Sequence, residues 1–477
     1  MTDFMKTAPA FTPDQAAALL KSRFGIEGVL SALDSERDQN FKVVSEGGET
    51  FILKIVNAAE PLTESDFQTA LLDHIGASAP DLPVPHLLPT LSGDFLDATE
   101  GADDMTHRIR LVRWVEGTPL AETPRDLSTL ENLGRILGRF AVAAQGFMHP
   151  GALRDIDWSL VHADRSRARL AHVGNDRDRA ILQRFLDRFE TGVKEKLTRL
   201  RAGILHNDAN DWNVLVGDDG RISGLIDFGD ALYGPLIADV AIACAYAGLD
   251  HPAPVDTAVA IARGYHSVMP LQAEELNLLY DLIAMRLVTS VTMSASRKQE
   301  SEGNPYLSIS EKAAWDYLRR LDRINPHFFT AILRHGCGFE AVDGARAVRQ
   351  WLRDNRRGFK PMLPRPAAFY PAALVPYGDP VHPMTVASAA EQPDRAQAIW
   401  EEECRRSGAV LGIGPFGEKR TVYQGEMFVS RFREETRRVM HLGLDLFMPA
   451  GTPLHTPIDA IVRSVEIEPD PLGYGCL

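Results

Sequence analysis

Two short motifs near the middle of the chain constrain its fold and chemistry more than any other feature. Residues 204–213 read Ile-Leu-His-Asn-Asp-Ala-Asn-Asp-Trp-Asn, so Asn213 follows Asp208 by five positions. A largely apolar run at 222–226 then leads to Asp227. A carboxylate that can accept the proton of an attacking hydroxyl, followed by an amide and a carboxylate that can bind a cation, is typical of phosphoryl transfer. The alternative is a polar turn between two strands.

Bulk composition limits the classes of partner. The chain has 477 residues, which allows two or three domains, and a formal net charge of −14. This acidity argues against a nucleic acid or an anionic membrane as a partner. Four widely spaced cysteines form no CxxC pair, which favours a reducing compartment. We find no signal-peptide pattern and no apolar run long enough to span a bilayer, so we predict a cytoplasmic location.

The first 116 residues predict a small, sheet-rich lobe. Three runs with strand character are separated by turn signals, at 28–33, 40–45 and 50–56. Lys54 interrupts the third run, which is otherwise apolar, and a buried lysine needs a charge partner or solvent. The alternative is an edge lysine that blocks aggregation. A sharp turn after residue 116 marks a predicted hinge.

Helical periodicity dominates after the hinge. Apolar residues recur at helical spacing from residue 127, and further helical stretches follow, with a polar insert at 296–304 predicted to be a surface loop. A Pro-rich segment without periodicity predicts a linker. We therefore predict four segments, which are an N-lobe at 1–116, a helical C-lobe at 117–362, the linker at 363–395 and a β-rich module at 396–477.

This order of features resembles the aminoglycoside phosphotransferase and choline kinase family over roughly residues 12–360. The shared features are a lysine on the third strand, a hinge, a helical lobe, and then His-x-Asp-x4-Asn and Asp-Phe-Gly-Asp. Residues 35–40 followed by Phe-Ile-Leu-Lys-Ile look like the branch that contains hydroxylysine and homoserine kinases. The resemblance implies an α+β, protein-kinase-like bilobal fold with a small antiparallel-sheet N-lobe and a helical C-lobe. It also implies that ATP (or GTP) and Mg2+ are required.

The resemblance implies roles for individual residues. Asp208 would be the catalytic base, Asn213 and Asp227 would be metal ligands, and His206 and Asp239 would support the site structurally. The remaining residues would bind the nucleotide: Lys54, Ser35, Arg37, Asn40, Gln68, Val112, Trp114 and Val115.

Three of these nucleotide roles can be made specific. Lys54 would bind the α- and β-phosphates, the 35–40 loop would cover them with backbone N–H groups, and the backbone at 112–116 would meet the adenine edge. Gln68 stands where the family usually has the glutamate that pairs with this lysine, and Glu64 lies one turn earlier, so either could orient Lys54.

Substrate recognition is indicated by residue chemistry alone. An amine-bearing acceptor would need acidic or aromatic partners, for which Asp230 and Tyr306 are available, together with Glu311 and Trp315. If the acceptor is also an amino acid, its carboxylate would need an arginine, and Arg286 is the candidate. The alternative for each is a surface or lobe-packing role.

The last segment contains a second signature. His441-Leu-Gly-Leu-Asp445 resembles the start of an M23 (LytM-type) zinc metallopeptidase domain. A catalytic zinc needs three protein ligands and a water, and the third ligand of that family does not follow Asp445. We therefore predict a partial β-rich module with a vestigial zinc pair. Relatives with this order often continue into a PLP-dependent aminotransferase or phospho-lyase, which implies a fused or associated partner of that kind.

The leading functional hypothesis is a small-molecule kinase. It would transfer the nucleotide γ-phosphate to a hydroxyl of an amino alcohol or hydroxylated amino acid, of hydroxylysine, homoserine, ethanolamine or choline type, within a longer multifunctional protein. One alternative is a non-catalytic, nucleotide-binding regulatory module. Another is a zinc hydrolase that acts through the C-terminal segment. A protein kinase is disfavoured because no Ala-Pro-Glu element follows Asp227.

Overall fold

The chain divides into two compact units, Met1–Val342 and Asp343–Leu477, in a computed structural model. The division falls before the linker predicted at 363–395. The structure describes residues 7–35, 37–101, 104–300, 306–390, 392–420, 422–423, 428–429 and 437–465, and it describes no side chains for 299, 300 and 306–310.

An antiparallel six-stranded sheet and two helices form the N-lobe of the first unit. The strand order is β1-β2-β3-β6-β4, and β5 also pairs with β6. The first helix begins at a capping box in which Thr12 and Gln15 exchange hydrogen bonds, and it ends at Gly25 with φ of 68°. In chain order the elements are α1 (Pro13–Phe24), β1 (Gly28–Leu33), β2 (Gln39–Ser45), β3 (Thr50–Ile55), α2 (Leu62–Ser78), β4 (Leu87–Leu88), β5 (Asp97–Glu100) and β6 (Thr106–Arg113).

Side-chain alternation gives this sheet one apolar and one polar face. Phe51 and Leu53 of β3 are buried in the cluster that also contains residues of α1. Lys54 points to the opposite face because side chains alternate along a strand. Its register partners are Asn40 on β2 and Arg110 on β6. The strand pattern therefore places a row of three polar side chains across the sheet on the face away from α1.

The second lobe of this unit is mainly helical. Five short strands pair as β10-β9-β7 and β11-β8. A π-helical turn, Phe189–Val193, lies between two of its α-helices. In chain order the elements are β7 (Thr118–Pro119), α3 (Leu127–Ala143), α4 (Ser166–Arg169), α5 (Asp176–Arg188), α6 (Lys194–Leu197), β8 (Ala202–Leu205), β9 (Val214–Val216), β10 (Ile222–Leu225), β11 (Leu232–Pro235), α7 (Ile237–Ala247), α8 (Pro254–His266), α9 (Ala273–Glu300), α10 (Tyr306–Arg323) and α11 (Pro326–Gly336). This is the α+β bilobal arrangement that the sequence predicts.

Glycines allow α3 and α8 to approach closely. A Cβ at Gly134 would lie 2.0 Å from the Ile261 carbonyl oxygen, and one at Gly264 would lie 1.9 Å from that of Glu131. Neither distance is compatible with a side chain, so the backbones touch where these residues are glycine. The two helices therefore pack backbone to backbone in the lobe that also contains α7 and the loop after β8, where the polar residues described below lie.

Helix α9 runs through the core of the helical lobe and corrects two expectations. It continues to Glu300, so the first part of the predicted 296–304 surface loop is helical, and 301–305 lie outside the described residues. Its stretch Ala273–Lys298 is also long and apolar enough to cross a membrane by length and composition, contrary to the sequence analysis. However, 78% of the apolar window is buried inside the protein, as in the core helix of a folded domain.

The second unit has its own small core. A sheet of β12 (Ala372–Leu374), β13 (Leu411–Gly414) and β14 (Asp445–Phe447) accompanies three helices, α12 (Ala345–Asn355), α13 (Pro383–Ala389) and α14 (Pro393–Ser407). The predicted linker is not an extended connector, because β12 pairs in parallel with β13, and Val375 and Met384 are buried beside Trp400. Its apolar residues could not be recognised as core because the pattern has no helical or strand period.

Candidate functional site

The 206–213 loop is held at its start by a buried carboxylate. Asp239 on α7 accepts hydrogen bonds from the backbone N–H of His206 at 2.9 Å and of Asn207 at 2.7 Å. Asn207 has φ of 63°, a left-handed conformation that asparagine adopts more readily than most residues. Burial raises the pKa of Asp239 to about 6, although the two N–H groups act in the opposite direction. The carboxylate therefore fixes a strained turn directly before Asp208.

His206 connects this loop to the segment before Asp227. Its Nδ1 accepts the backbone N–H of Asp208 at 3.3 Å, so the proton resides on Nε2, which donates to the Ile226 carbonyl at 3.0 Å. Burial lowers the pKa of His206 to about 4. The ring is therefore neutral at physiological pH and has both nitrogens occupied, an arrangement suited to support rather than proton transfer.

Three donors surround the carboxylate of Asp208. Arg286 Nη2 donates to Oδ1 at 2.7 Å, while the side-chain amides of Asn210 and Asn213 donate to Oδ2 at 2.9 and 2.8 Å. Burial raises the pKa of Asp208 to about 7, against the lowering effect of Arg286, and Asp230 and Asp227 add to the rise. A carboxyl group with a pKa near neutrality can both accept and release a proton at physiological pH.

Arg286 is therefore not available to a substrate carboxylate as predicted. Its side chain is 1% exposed, it also donates to the Trp158 carbonyl at 2.9 Å, and its guanidinium lies over the rings of Trp158 and Tyr246. Only the packing of α9 against the 206–213 loop shows that the partner of Arg286 is Asp208.

The residues predicted as metal ligands both lie near the carboxylate of Asp208. Asp227 has φ of 62°, and its Oδ1 accepts the Gly229 N–H at 3.0 Å. Desolvation would raise the pKa of Asp227, but Lys54 and that N–H outweigh it and hold the pKa below its ordinary value. Asn213 donates with its Nδ2 to Asp208, which leaves its Oδ1 as an acceptor. Together, Asn213 and Asp227 offer oxygen donors of the kind that Mg2+ prefers.

The described residues contain no group of three or more His, Cys, Asp or Glu side chains able to hold a metal. An all-protein cage is not needed here, because Mg2+ is typically bound by one or two carboxylates together with substrate phosphates. The two side chains therefore fit a cation that arrives with a nucleotide.

Neither residue expected to orient Lys54 does so. Lys54 Nζ lies 2.8 Å from Oδ2 of Asp38, which precedes β2. Gln68 instead accepts a hydrogen bond from Arg110 at 2.6 Å, and Glu64 accepts one from Arg154 at 2.6 Å. The predicted pairing is wrong because Gln68 and Glu64 are each hydrogen-bonded to an arginine instead of to Lys54.

The residues predicted to cover the phosphates lie before and within β2. Ser35 and Arg37 are exposed, and residue 36 between them lies outside the described residues. Asn40 stands opposite Lys54, and its buried Oδ1 has no hydrogen-bond partner among the described residues. This part of the lobe therefore presents a polar amide next to the Lys54 ammonium.

The segment predicted to meet the adenine edge follows the last long strand. Val112 is buried in β6, where it pairs with Ile52 on one side and Leu87 on the other. Trp114 donates its backbone N–H to Thr50 at 3.0 Å, so that donor is not open to a base. Val115 is half-buried beside the backbone of residue 224. The structure therefore removes one of the expected backbone contacts.

Among the side chains predicted to bind an amine, Asp230 lies near the base. Asp230 contributes to the raised pKa of Asp208, and its carboxylate has no hydrogen-bond or ion-pair partner among the described residues. Tyr306 is the first residue of α10, and its side chain lies outside the described residues. Glu311 is bound to Lys298 and to Ser294 at 2.8 Å.

Two site residues were missed by sequence reasoning. Asp38 was included only as part of a covering loop, and Arg154 was not identified. Arg154 donates to the Gly229 carbonyl at 2.6 Å as well as to Glu64, which links α2 to the turn after Asp227. A local signal existed only for Asp38, an acid two residues before the asparagine that faces Lys54, whereas Arg154 lies in an irregular segment without a motif.

The vestigial zinc pair in the second unit is occupied by protein groups. His441 Nε2 lies 3.3 Å from Asp445 Oδ1, and Arg420 Nη1 lies 2.7 Å from the other oxygen of the same carboxylate. Arg420 is buried, and it also contacts Glu418 at 2.8 Å. A guanidinium therefore supplies the positive charge at this cluster, and the residues present do not fit a zinc ion.

Comparison with known proteins finds several kinases that resemble parts of this chain. The hydroxylysine kinase of Mus musculus is 29% identical over 340 residues, covering 66% of this chain and 90% of that protein. The homoserine kinase of Neisseria meningitidis serogroup B is 38% identical over 111 residues, covering 23% of this chain and 35% of that protein. An amicoumacin kinase structure aligns with a TM-score of 0.49 and 14% identity, covering 68% of this chain and 93% of that one.

The profile of the phosphotransferase enzyme family matches residues 29–276. This range is more than half of the chain and includes Lys54, the 206–213 loop and Asp227. The chain therefore belongs to the phosphotransferase enzyme family and is a phosphotransferase that acts on hydroxyl groups.

Proposed function

We propose that this protein transfers the γ-phosphate of ATP or GTP to the hydroxyl of a small hydroxylated amine, with Asp208 as the catalytic base. The observation that carries the proposal is the environment of Asp208, whose carboxylate is oriented by three donors and whose burial raises its pKa to about 7. Lys54 and Asp227 lie close enough to each other that the ammonium lowers the pKa of the carboxyl.

The hydrogen bonds indicate which oxygen of Asp208 accepts the proton. An ionised carboxylate has about four acceptor positions. Two donors, from Asn210 and Asn213, occupy Oδ2, and one donor, from Arg286, occupies Oδ1. The substrate hydroxyl that receives the phosphate then gives its proton to the open position on Oδ1. Arg286 favours the ionised form and so keeps the base ready at neutral pH.

The other residues bind and orient the nucleotide. Lys54 neutralises charge on its phosphates, while Asn213 and Asp227 hold a divalent cation, which we propose is Mg2+. When bound, this cation neutralises negative charge on the phosphate oxygens. Asp239 and His206 hold the loop and the segment before Asp227 in place, and His206 stays uncharged near neutral pH.

We propose a hydroxylated amino acid or amino alcohol as the acceptor. The hydroxylysine and homoserine kinases that this chain resembles are named for hydroxylated amino acids. Asp230 supports an ammonium-bearing acceptor because its unengaged carboxylate lies near the base. The carboxylate of an amino acid would need a cation other than Arg286.

The test is a panel of hydroxylysine, homoserine, ethanolamine, choline and an aminoglycoside, each assayed for consumption of ATP and of GTP with Mg2+. We expect stimulation by at least one amine-bearing alcohol. Asp208→Asn should reduce kcat by orders of magnitude with nearly unchanged nucleotide affinity. An absence of turnover with every acceptor, or full activity in Asp208→Asn, contradicts the proposal.

Three broader expectations stay predictions. They are a cytoplasmic location, a partial M23-like module at 396–477, and a fused or associated PLP-dependent phospho-lyase or aminotransferase that would act on the phosphorylated product. Detection of elimination from the phosphorylated acceptor by a larger protein containing this chain would test the last of these.

A further inference from the structure

The carboxylate beside Lys54 comes from the connection between β1 and β2. Asp38 Oδ2 lies 2.8 Å from Lys54 Nζ, and the two side chains are 10% and 20% exposed. An ion pair of this kind, largely out of water, is stronger than a pair at the surface and fixes the direction of the ammonium.

Asp38 is itself fixed by a buried asparagine. The backbone N–H of Asn57 donates to Asp38 Oδ1 at 3.0 Å, and the side-chain amide of Asn57 donates to the Arg37 carbonyl at 3.0 Å. Asn57 is only 1% exposed and follows β3 by two residues. Both carboxylate oxygens of Asp38 are therefore engaged, one by the scaffold and the other by Lys54.

The two α2 side chains expected to take this role are engaged elsewhere. The side-chain oxygen of Gln68 is bound to the guanidinium of Arg110, which stands directly opposite Lys54 in the sheet. Glu64 is bound to Arg154, whose other donor holds the Gly229 carbonyl. Two like charges opposite each other on a sheet repel, and nearby carboxylates offset this repulsion. Glu60, Asp38 and Asp227 all act on Arg110, and Asp38 is the one in direct contact with Lys54.

We propose that Asp38 is the positioning residue for Lys54 and that it couples the nucleotide-binding lysine to the segment that enters β2 rather than to helix α2. This inference rests on the proposed function, in which Lys54 binds nucleotide phosphate. Binding of the phosphates then depends on the order of residues 37–40. The position of α2 is set separately, by the Arg110–Gln68 and Arg154–Glu64 contacts.

The test uses Asp38→Asn in the full chain. Asparagine keeps an oxygen that accepts the Asn57 N–H and loses only the charge opposite Lys54. We expect the Kd for Mg-ATP or Mg-GTP, measured by calorimetry without an acceptor, to rise roughly ten- to a hundred-fold, as for a lost charge-assisted contact. In turnover assays the KM for the nucleotide should rise while the KM for the acceptor stays unchanged. Asp38→Glu should recover part of the loss.

Glu49→Gln is the matched control. Glu49 is also paired with a cation of the same lobe, Arg113, at 2.9 Å, but both side chains are more than half exposed. We expect its nucleotide affinity to equal that of the wild type. A purely structural effect of Asp38→Asn would lower Tm without separating the two KM values.

The variant Gln68→Glu tests whether a carboxylate on α2 can position Lys54 in place of Asp38. We expect the new carboxylate to pair with Arg110 and to restore no affinity in an Asp38→Asn background. Restoration there would assign the role to α2 and overturn the inference, as would unchanged or tighter nucleotide binding by Asp38→Asn alone. If the wild-type protein binds neither ATP nor GTP, the proposed function is overturned as well. If the wild type binds nucleotide and Asp38→Asn binds it equally well, only the role of Asp38 is overturned.

Discussion

Removal of Arg286 provides a direct test of the electrostatics at Asp208. The variant Arg286→Met keeps much of the side-chain volume but loses the charge 2.7 Å from Oδ1. Asp208 is 22% exposed and Arg286 is 1% exposed, so water screens the pair weakly. Arg286 lowers the pKa of Asp208, against the upward effects of burial, Asp230 and Asp227. Its loss must therefore raise that pKa further.

The size of the shift follows from known arginine–carboxylate pairs. An arginine at hydrogen-bond distance lowers a carboxyl pKa by about 1–3 units, and each unit corresponds to about 1.4 kcal/mol. Starting from about 7, the pKa of Asp208 in the variant should lie at about 8–10. At pH 8 the wild-type base is about nine-tenths ionised, whereas the variant base is between about one half and one hundredth ionised.

The assay is the pH dependence of kcat/KM, which reports ionisations of the free enzyme. We expect the acidic limb to have its midpoint near pH 7 in the wild type and one or more units higher in Arg286→Met, with activity partly recovered in alkaline buffer. Arg286→Lys, which keeps a charge but not the planar fork, should fall between them.

Arg125→Met is the control for this experiment. Arg125 donates to Asp211 at 2.7 Å in the same loop, and both side chains are similarly shielded from solvent. Its loss should lower Tm without moving the acidic limb. An unmoved limb in Arg286→Met, or an equal loss of activity at every pH, would refute the electrostatic argument and leave Arg286 with a packing role.

Three further predictions concern stability and metal binding. In the native state the pKa of His206 is about 4, whereas that of an unfolded histidine is about 6.5. The unfolded state therefore binds more protons between these pH values, and the native state loses stability as pH falls through this range. The loss is up to about 1.4 kcal/mol per pH unit. The difference in unfolding free energy between wild type and His206→Gln, from urea titrations, should therefore shrink from pH 7.5 to 5, and a constant difference would contradict the assignment. Gly134→Ala should lose about 1–3 kcal/mol because its Cβ meets a backbone carbonyl, whereas Gly174→Ala, with open space around it, should leave Tm almost unchanged. Asp227→Asn should raise the Mg2+ concentration for half-maximal turnover at least about tenfold while keeping the Gly229 contact, and an unaltered requirement would exclude Asp227 as a ligand.

Strand periodicity predicted the N-lobe closely. The expected runs at 28–33 and 50–56 correspond to β1 (Gly28–Leu33) and β3 (Thr50–Ile55). A short alternating apolar pattern between two turns is compatible with few structures other than a strand. The Pro-rich segment was misassigned for the converse reason. Its buried residues, including Val375 and Met384, follow no period, so only their packing around Trp400 reveals a core.

Pairing of charged side chains could not be predicted in the same way. Lys54 needed a partner, and α2 offered two candidates at helical spacing, yet each contacts an arginine. Which side chain pairs with Lys54 depends on which charged groups come within contact distance of it. The register of β3 with β6 and the position of α2 together determine these distances. Arg286 is a similar case, since it lies 78 residues from Asp208 in sequence and reaches it only because α9 passes beneath the loop.

The sequence by itself determined the type of chemistry. Asp208, Asn213 and Asp227 lie close together in the sequence, and each follows a short strand or lies in a turn. Neighbouring residues specify these strands and turns, so the arrangement can be recognised without the tertiary structure. The tertiary structure decided how that chemistry is tuned. Burial and Arg286 set the pKa of Asp208, and Asp38 became the partner of Lys54, because electrostatic energies depend on distances and solvent exposure that arise only when distant elements pack together.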